Sequence, residues 1–250
     1  MRERVDYLDM ARGVAMICIV ILHLTIFNLR GVASESVGIF CHSFDTRLLF
    51  FLSGMTAAIS VGSKGSTLRE CMKIGLKKLR TLFMPFMVWS VIVMPYIYNR
   101  SDVNQFIDLV LSSFDPQTGG YWFLLYLFVF QLLLIGIRFV TSCLSTMISN
   151  EFWRELLVAF VASWLLFPVY EYFFIFIMGY FVQKYWQHFF YNKIYTCVAF
   201  LLFVGLYAYA GSIRDNSIVR VIMALSACSV ILAVLRNDSM NTPGGGCPKT

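Results

Sequence analysis

Charge is scarce in this chain: Asp, Glu, Lys and Arg make up 14% of its 250 residues, against about 25% in an ordinary soluble domain. A soluble fold of this length needs polar side chains to cover its surface, yet apolar runs recur from residue 13 to residue 235 with few charges between them. Proline is scarce too, with six in all, and no repeat or linker separates off a soluble domain. The seven cysteines, at positions 18, 41, 71, 143, 197, 228 and 247, form no C-x-x-C pair and no zinc spacing with histidine. That speaks against a metal site and against a disulfide framework. Ten-residue segments of alternating polarity are also missing, which excludes the outer-membrane barrel pattern.

What is present is apolar and aromatic. Hydrophobic residues reach 59%, with 24 Phe and 13 Tyr, a composition for which lipid is the solvent. The strongest uncharged stretches run from Gly13 to Leu29, Thr81 to Asn99, Gln117 to Ile137 and Ile194 to Ile213. Weaker ones run from Leu48 to Ser63, Leu156 to Tyr170, Tyr172 to Gln183 and Val221 to Leu235. The four strongest each approach the ~20 residues that cross a bilayer core as a helix. The expected fold is therefore all-α, a polytopic transmembrane bundle of about eight helices. Residues 1–236 read as one membrane domain, and 237–250, with Pro243, Gly244, Gly245 and Gly246, read as a disordered polar tail. Asp6 and Asp9 interrupt the basic start and no small-residue cleavage site follows, so the first span reads as an uncleaved signal anchor.

Basic residues are retained on the cytoplasmic side during insertion. With the N-terminus inside, only Arg30, Arg47, Arg100, Arg214 and Arg220 fall outside, leaving fifteen of the twenty Lys and Arg on the cytoplasmic side. The net charge of +6 is then a topology signal with contacts to anionic membrane lipid, and nucleic acid is not an expected partner.

One ionisable residue, His23, lies well inside a strong span. Such residues are expensive in lipid and mark functional positions; the plainer alternative is a neutral imidazole that bonds a neighbouring helix. Arg12 weights the first reading. Eleven residues give about 1100° of rotation, roughly 20° past three turns, so Arg12 and His23 share a helix face about 16 Å apart along the axis. On that reading His23 sits near mid-membrane and Arg12 at the cytoplasmic boundary, where Asp9, three residues earlier, can pair with it. Further along, Arg69, Lys73, Lys77 and Arg80 fall at spacings of four, four and three, a basic stripe beside an apolar one of Leu68, Met72, Leu76 and Leu79. Such a helix suits the inner interface, either on lipid phosphate or on a phosphorylated ligand. At the outer ends of the spans, Asp45, Arg47 and Glu171, with His42, offer partners for a polar substrate. Trp122 can stack on a sugar ring or simply anchor a helix at the interface.

The opening Arg4-Val-Asp-Tyr-Leu-Asp-Met-Ala-Arg-Gly13 followed by His23 resembles the start of the acyltransferase-3 family of integral membrane acyltransferases. Arg12 and His23 match its arginine, ten residues, histidine motif. Phe50-Phe-Leu-Ser-Gly54 is similar to its second-helix signature, the basic run into Pro85 to its next loop, and Tyr121-Trp-Phe-Leu124 and Phe173-Phe-Ile-Phe-Ile-Met-Gly179 to later, less specific segments. The resemblance covers residues 4 to about 185. It implies transfer of an acyl group, commonly acetyl from acetyl-CoA, to a hydroxyl of an envelope glycan or lipid-linked saccharide. His23 would be base or acyl relay and Arg12 its partner in the motif. The location it implies is a bacterial cytoplasmic membrane. An imidazole, ordinarily titrating at about 6.5, can take a hydroxyl proton at neutral pH.

The family's arginine pair falls at Lys77 and Arg80, so Lys77 meets phosphate as a point charge without bidentate geometry, and Arg80 ranks above it for the donor. Phe50, Phe51, Ser53 and Gly54 are expected to pack helices rather than touch substrate. With 250 residues the chain resembles a shortened version of a family fold of about ten helices, ample to cross a bilayer several times. Two other readings stay open: a transporter or flippase of a glycan or lipid precursor, and a truncated, inactive member of the family. The spans lack the paired broken helices and buried carboxylates that coupled transport uses.

Overall fold

The computed structural model describes residues 6–27, 32–61, 67–93, 107–108, 111, 122–146, 149–165, 170–187, 192–209 and 216–241. Arg4, Tyr121, His188 and the tail beyond Asn241 lie outside the described residues. The chain divides into two compact units, one formed by Met1–Ser60 with Pro168–Thr250 and the other by Val61–Phe167. Among the described residues all regular structure is helical, which makes this an all-α membrane bundle.

The first unit holds α1 (Asp6–Phe27), α2 (Val32–His42), α3 (Asp45–Val61), α8 (Tyr170–Tyr185), α9 (Lys193–Tyr209) and α10 (Ser217–Asn241). Helix α1 is already helical at Asp6, seven residues before the uncharged run, and Asp6 and Asp9 in its first turn favour the positive end of the helix dipole. It buries a narrow face of Leu8, Ala11 and Ala15 and packs on α2 and α10. Helix α2 lies where the sequence pattern suggested an outer loop. Its eleven residues, with Ser, Glu and Gly among them, are too short and too polar to read as a span, and packing on α1 supplies what local propensity does not.

Helices α3 and α8 form the core of this unit. Phe50, Phe51, Leu52 and Met55 of α3 and Phe173, Phe176 and Tyr180 of α8 are at most 1% exposed. Two glycines allow this. A Cβ on Gly54 would stand 1.9 Å from the Phe176 carbonyl oxygen, and one on Gly179 would stand 2.1 Å from the Phe51 carbonyl oxygen. The two backbones are in direct contact, as small residues permit between membrane helices. The expected packing role of Phe50, Phe51 and Gly54 is met, and its partner is the 173–179 segment. Helix α10 continues to Asn241, five residues past the 236 boundary.

The second unit holds α4 (Leu68–Lys78), α5 (Met84–Val88), α6 (Trp122–Cys143) and α7 (Glu151–Leu165). Thr67 caps α4, its hydroxyl accepting from the Glu70 N–H at 3.4 Å. One π turn, Leu79–Phe83, joins α4 to α5, and a second, Trp89–Val93, follows it. Pro85 near the start of α5 has no N–H to donate, and the wider turn before it carries the helix on without a break. A separate interfacial helix followed by a span was expected here; instead the basic stripe belongs to a helical stretch that runs on from Leu68 to Val93, and residues 94–99 of the expected span lie outside the described residues. Helix α4 packs on α6, and α6 on α7.

Among the described residues, three helical stretches are long and apolar enough to cross a membrane: Asp6–Thr25, Trp122–Cys143 and Ser217–Arg236, with Lys193–Tyr209 a shorter apolar helix. Their surfaces suit lipid. In α9, Ile194, Val198, Phe200 and Leu201 are 52–75% exposed, which only an apolar solvent makes favourable.

Candidate functional site

Arg12 lies six residues into α1, and its guanidinium is fixed from two sides. One Nη donates to Asp9 Oδ1, one turn earlier, at 2.5 Å, and the other donates to the Thr56 hydroxyl of α3. Thr56 in turn donates to the Leu52 carbonyl at 2.8 Å, so the acceptor lone pairs of its oxygen are aimed at Arg12. The i,i+3 pairing with Asp9 was legible in the sequence; Thr56, 44 residues away, was not.

His23 lies on the same helix, and α1 is α-helical throughout, so the shared face and the ~16 Å axial separation stand. Within the helix His23 lies four residues before Phe27, about 6 Å along the axis. Its side chain is exposed on the bundle surface, as is that of Met16 on the same face. The arginine is thus anchored to α3, while the imidazole is presented on an open flank.

Asp45, Arg47 and Glu171 are brought together at the end of the unit where α3, α8 and α10 begin. They are 1%, 3% and 7% exposed, so buried carboxylates, expected to be lacking, are present in Asp45 and Glu171, where helix packing closes over them. Arg47 Nη2 donates to Glu171 Oε1 at 3.3 Å, and Arg47 Nη1 donates to the His42 carbonyl at the end of α2 at 3.2 Å. The second carboxylate oxygen of Glu171 accepts from Arg220 Nη2 at 3.2 Å and Nε at 3.4 Å. Arg220 also donates to the Ser217 hydroxyl at 3.0 Å. Tyr172 stacks under Arg47, whose guanidinium carbon is 5.5 Å from the ring centre. Asp45 accepts from the Thr46 N–H, and His42 Nδ1 is 3.9 Å from its carboxylate. A carboxylate bridging two guanidiniums, with Asp45 beside them, leaves the cluster near neutrality, which is how charges are kept inside a bundle. Sequence reading missed Arg220, the partner that completes it.

In the second unit Arg69, Lys73, Lys77 and Arg80 are all exposed. Lys73, Lys77 and Arg80 line one open groove of about 360 Å³ with Leu76 and Thr81, so three of the four predicted cations face one space. Arg80 is displaced from the α4 register by the π turn that contains it. Trp122 begins α6, its ring 5.7 Å from that of Tyr126 in an edge-on pair, a different unit from the Arg47 cluster.

The profile of the acyltransferase-3 family, described as an acyltransferase domain, matches residues 5–238. No curated protein and no solved structure matches the chain. The match takes in both units, the Arg12/His23 helix and the Gly54/Gly179 contact. This multi-pass, all-helical membrane chain belongs to the acyltransferase-3 family.

Proposed function

We propose that the protein is an O-acyltransferase that moves an acyl group, acetyl in the first instance, from acyl-CoA on the cytoplasmic side to a hydroxyl of an envelope saccharide, in a bacterial cytoplasmic membrane. The observation that carries this reading is Arg12, held by Asp9 and Thr56 on the same helix face as His23. His23 takes the proton of the acceptor hydroxyl as its oxygen attacks the thioester carbonyl. The C–S bond then breaks, and the leaving thiolate recovers the proton from the imidazolium. Arg12 and Arg80 are the positioning charges for the donor, with Lys77 adding to the field that draws in its phosphates. A donor held near Arg12 must present its thioester about 16 Å along α1, a reach that suits a long flexible arm.

The acceptor side is assigned to the end of α1 that carries His23. There Asp45, Arg47 and Glu171 fix the helix ends; Trp122, which belongs to the other unit, is the aromatic ring proposed to stack on a sugar. Mass analysis of the surface glycan tests this reading: cells expressing the protein should show an added ester of about 42 Da that mild base removes, and an unchanged glycan would contradict it.

A further inference from the structure

Half of helix α4 is left uncovered, and the uncovered half is divided into two arcs. At 100° per residue, Leu68, Met72 and Leu76 span about 0–80° of the helix circumference, and Arg69, Lys73 and Lys77 about 100–180°. The remaining residues, Glu70, Cys71, Ile74, Gly75 and Lys78, occupy the arc from about 200° to 340°. All five of these are partly covered, whereas the other six are exposed. Gly75 marks the seam with α6, since a Cβ there would sit 3.6 Å from Leu132. Packing inside the unit therefore explains one arc and leaves three large apolar side chains, 57–63% exposed, directly beside three cations.

We infer that this two-arc face is a binding surface for anionic phospholipid, with acyl chains over Leu68, Met72 and Leu76 and headgroup phosphates on Arg69 and Lys73. A free phosphate or a nucleotide would satisfy the cations and leave the apolar arc in water. A phospholipid covers both arcs with one molecule, because its charge and its hydrocarbon are adjacent in the same order as the arcs. The position agrees, since α6, against which α4 packs, is itself long and apolar enough to cross a bilayer. Basic residues beside a bilayer favour anionic over zwitterionic lipid, and the apolar arc supplies the insertion energy of an interfacial helix. The inference concerns a lipid contact and holds whether or not the chain transfers an acyl group; Arg80, on the π turn, lies outside both arcs.

The test is hydrogen–deuterium exchange of residues 68–78 in the full chain, reconstituted in nanodiscs of pure phosphatidylcholine or with about 30% phosphatidylglycerol. The anionic discs should slow exchange about fivefold per engaged cation, and high salt or the double substitution Arg69→Gln, Lys73→Gln should abolish that difference. Met72→Ser with Leu76→Ser should speed exchange in both kinds of disc. All four positions are exposed, so these variants keep the fold. Equal exchange in the two lipid compositions would overturn the inference. So would coenzyme A giving, in pure phosphatidylcholine, the protection that anionic lipid gives, because the cations would then serve a soluble phosphate.

Discussion

The guanidinium of Arg12 donates to the hydroxyl of Thr56, joining two segments that lie 44 residues apart. This bond fixes the arginine end of the Arg12/His23 face to α3. Thr56→Val keeps the shape and removes the acceptor, so turnover should fall about fivefold, the worth of one hydrogen bond to a charged group near its lower limit, with the folded yield unchanged. Thr56→Ser should restore most of the rate. Equal kcat/KM for the valine variant and the parent would remove Thr56 from the account.

Gly54 and Gly179 predict a stability effect with an internal control. A methyl group at either position meets backbone that cannot rotate away, so Gly54→Ala or Gly179→Ala should each cost at least about 1–3 kcal/mol, the usual range for overpacking. At Gly205 in α9, a methyl group would meet nothing within 4 Å. Gly205→Ala should leave stability unchanged or raise it by up to about 1 kcal/mol through helix propensity. Thermal unfolding in detergent ranks the three variants, and a Gly54→Ala variant as stable as Gly205→Ala would contradict the close α3/α8 contact.

The cluster around Glu171 predicts an unequal response to removing its members. Glu171→Ala leaves the guanidinium of Arg47, 4% exposed on its side chain, without its carboxylate, and should cost about 3 kcal/mol or more. Arg220→Ala should cost less, because its side chain is 30% exposed and Glu171 keeps Arg47. If the two losses measured in the same unfolding assay were equal, Arg47 would not be the buried charge that depends on Glu171.

Donor binding should respond to the groove on the second unit. Arg80→Gln is expected to raise KM for acyl-CoA about tenfold, the cost of one charge-assisted contact, while kcat changes little. Lys77→Gln should have a smaller effect, because a lysine offers a point charge and no fork. Initial rates at varied donor concentration separate the two constants, and an unchanged KM for Arg80→Gln would move the donor phosphates elsewhere.

Much of this architecture is legible in the amino-acid sequence, because lipid solvation writes long uncharged runs into the chain. All eight expected spans contain a helix. The Asp9–Arg12 pair was also legible, since i,i+3 neighbours on a helix meet by geometry alone. What was hidden depended on tertiary packing. Helix α2 is short and partly polar, so periodicity gave no signal for it. Arg220 meets Glu171 across 49 residues and Thr56 meets Arg12 across 44, separations that no local pattern encodes. Gly179 was visible only as the end of a less specific family segment, because its partner is a backbone carbonyl rather than a side chain.

Whether His23 takes the acceptor's proton is decided by transfer of labelled acetyl from acetyl-CoA to an envelope saccharide by the purified protein. The account predicts that His23→Ala, reconstituted at equal level and with an unchanged unfolding temperature, loses transfer by at least about a hundredfold, the usual contribution of a general base. Transfer at the parent rate by that variant would contradict it.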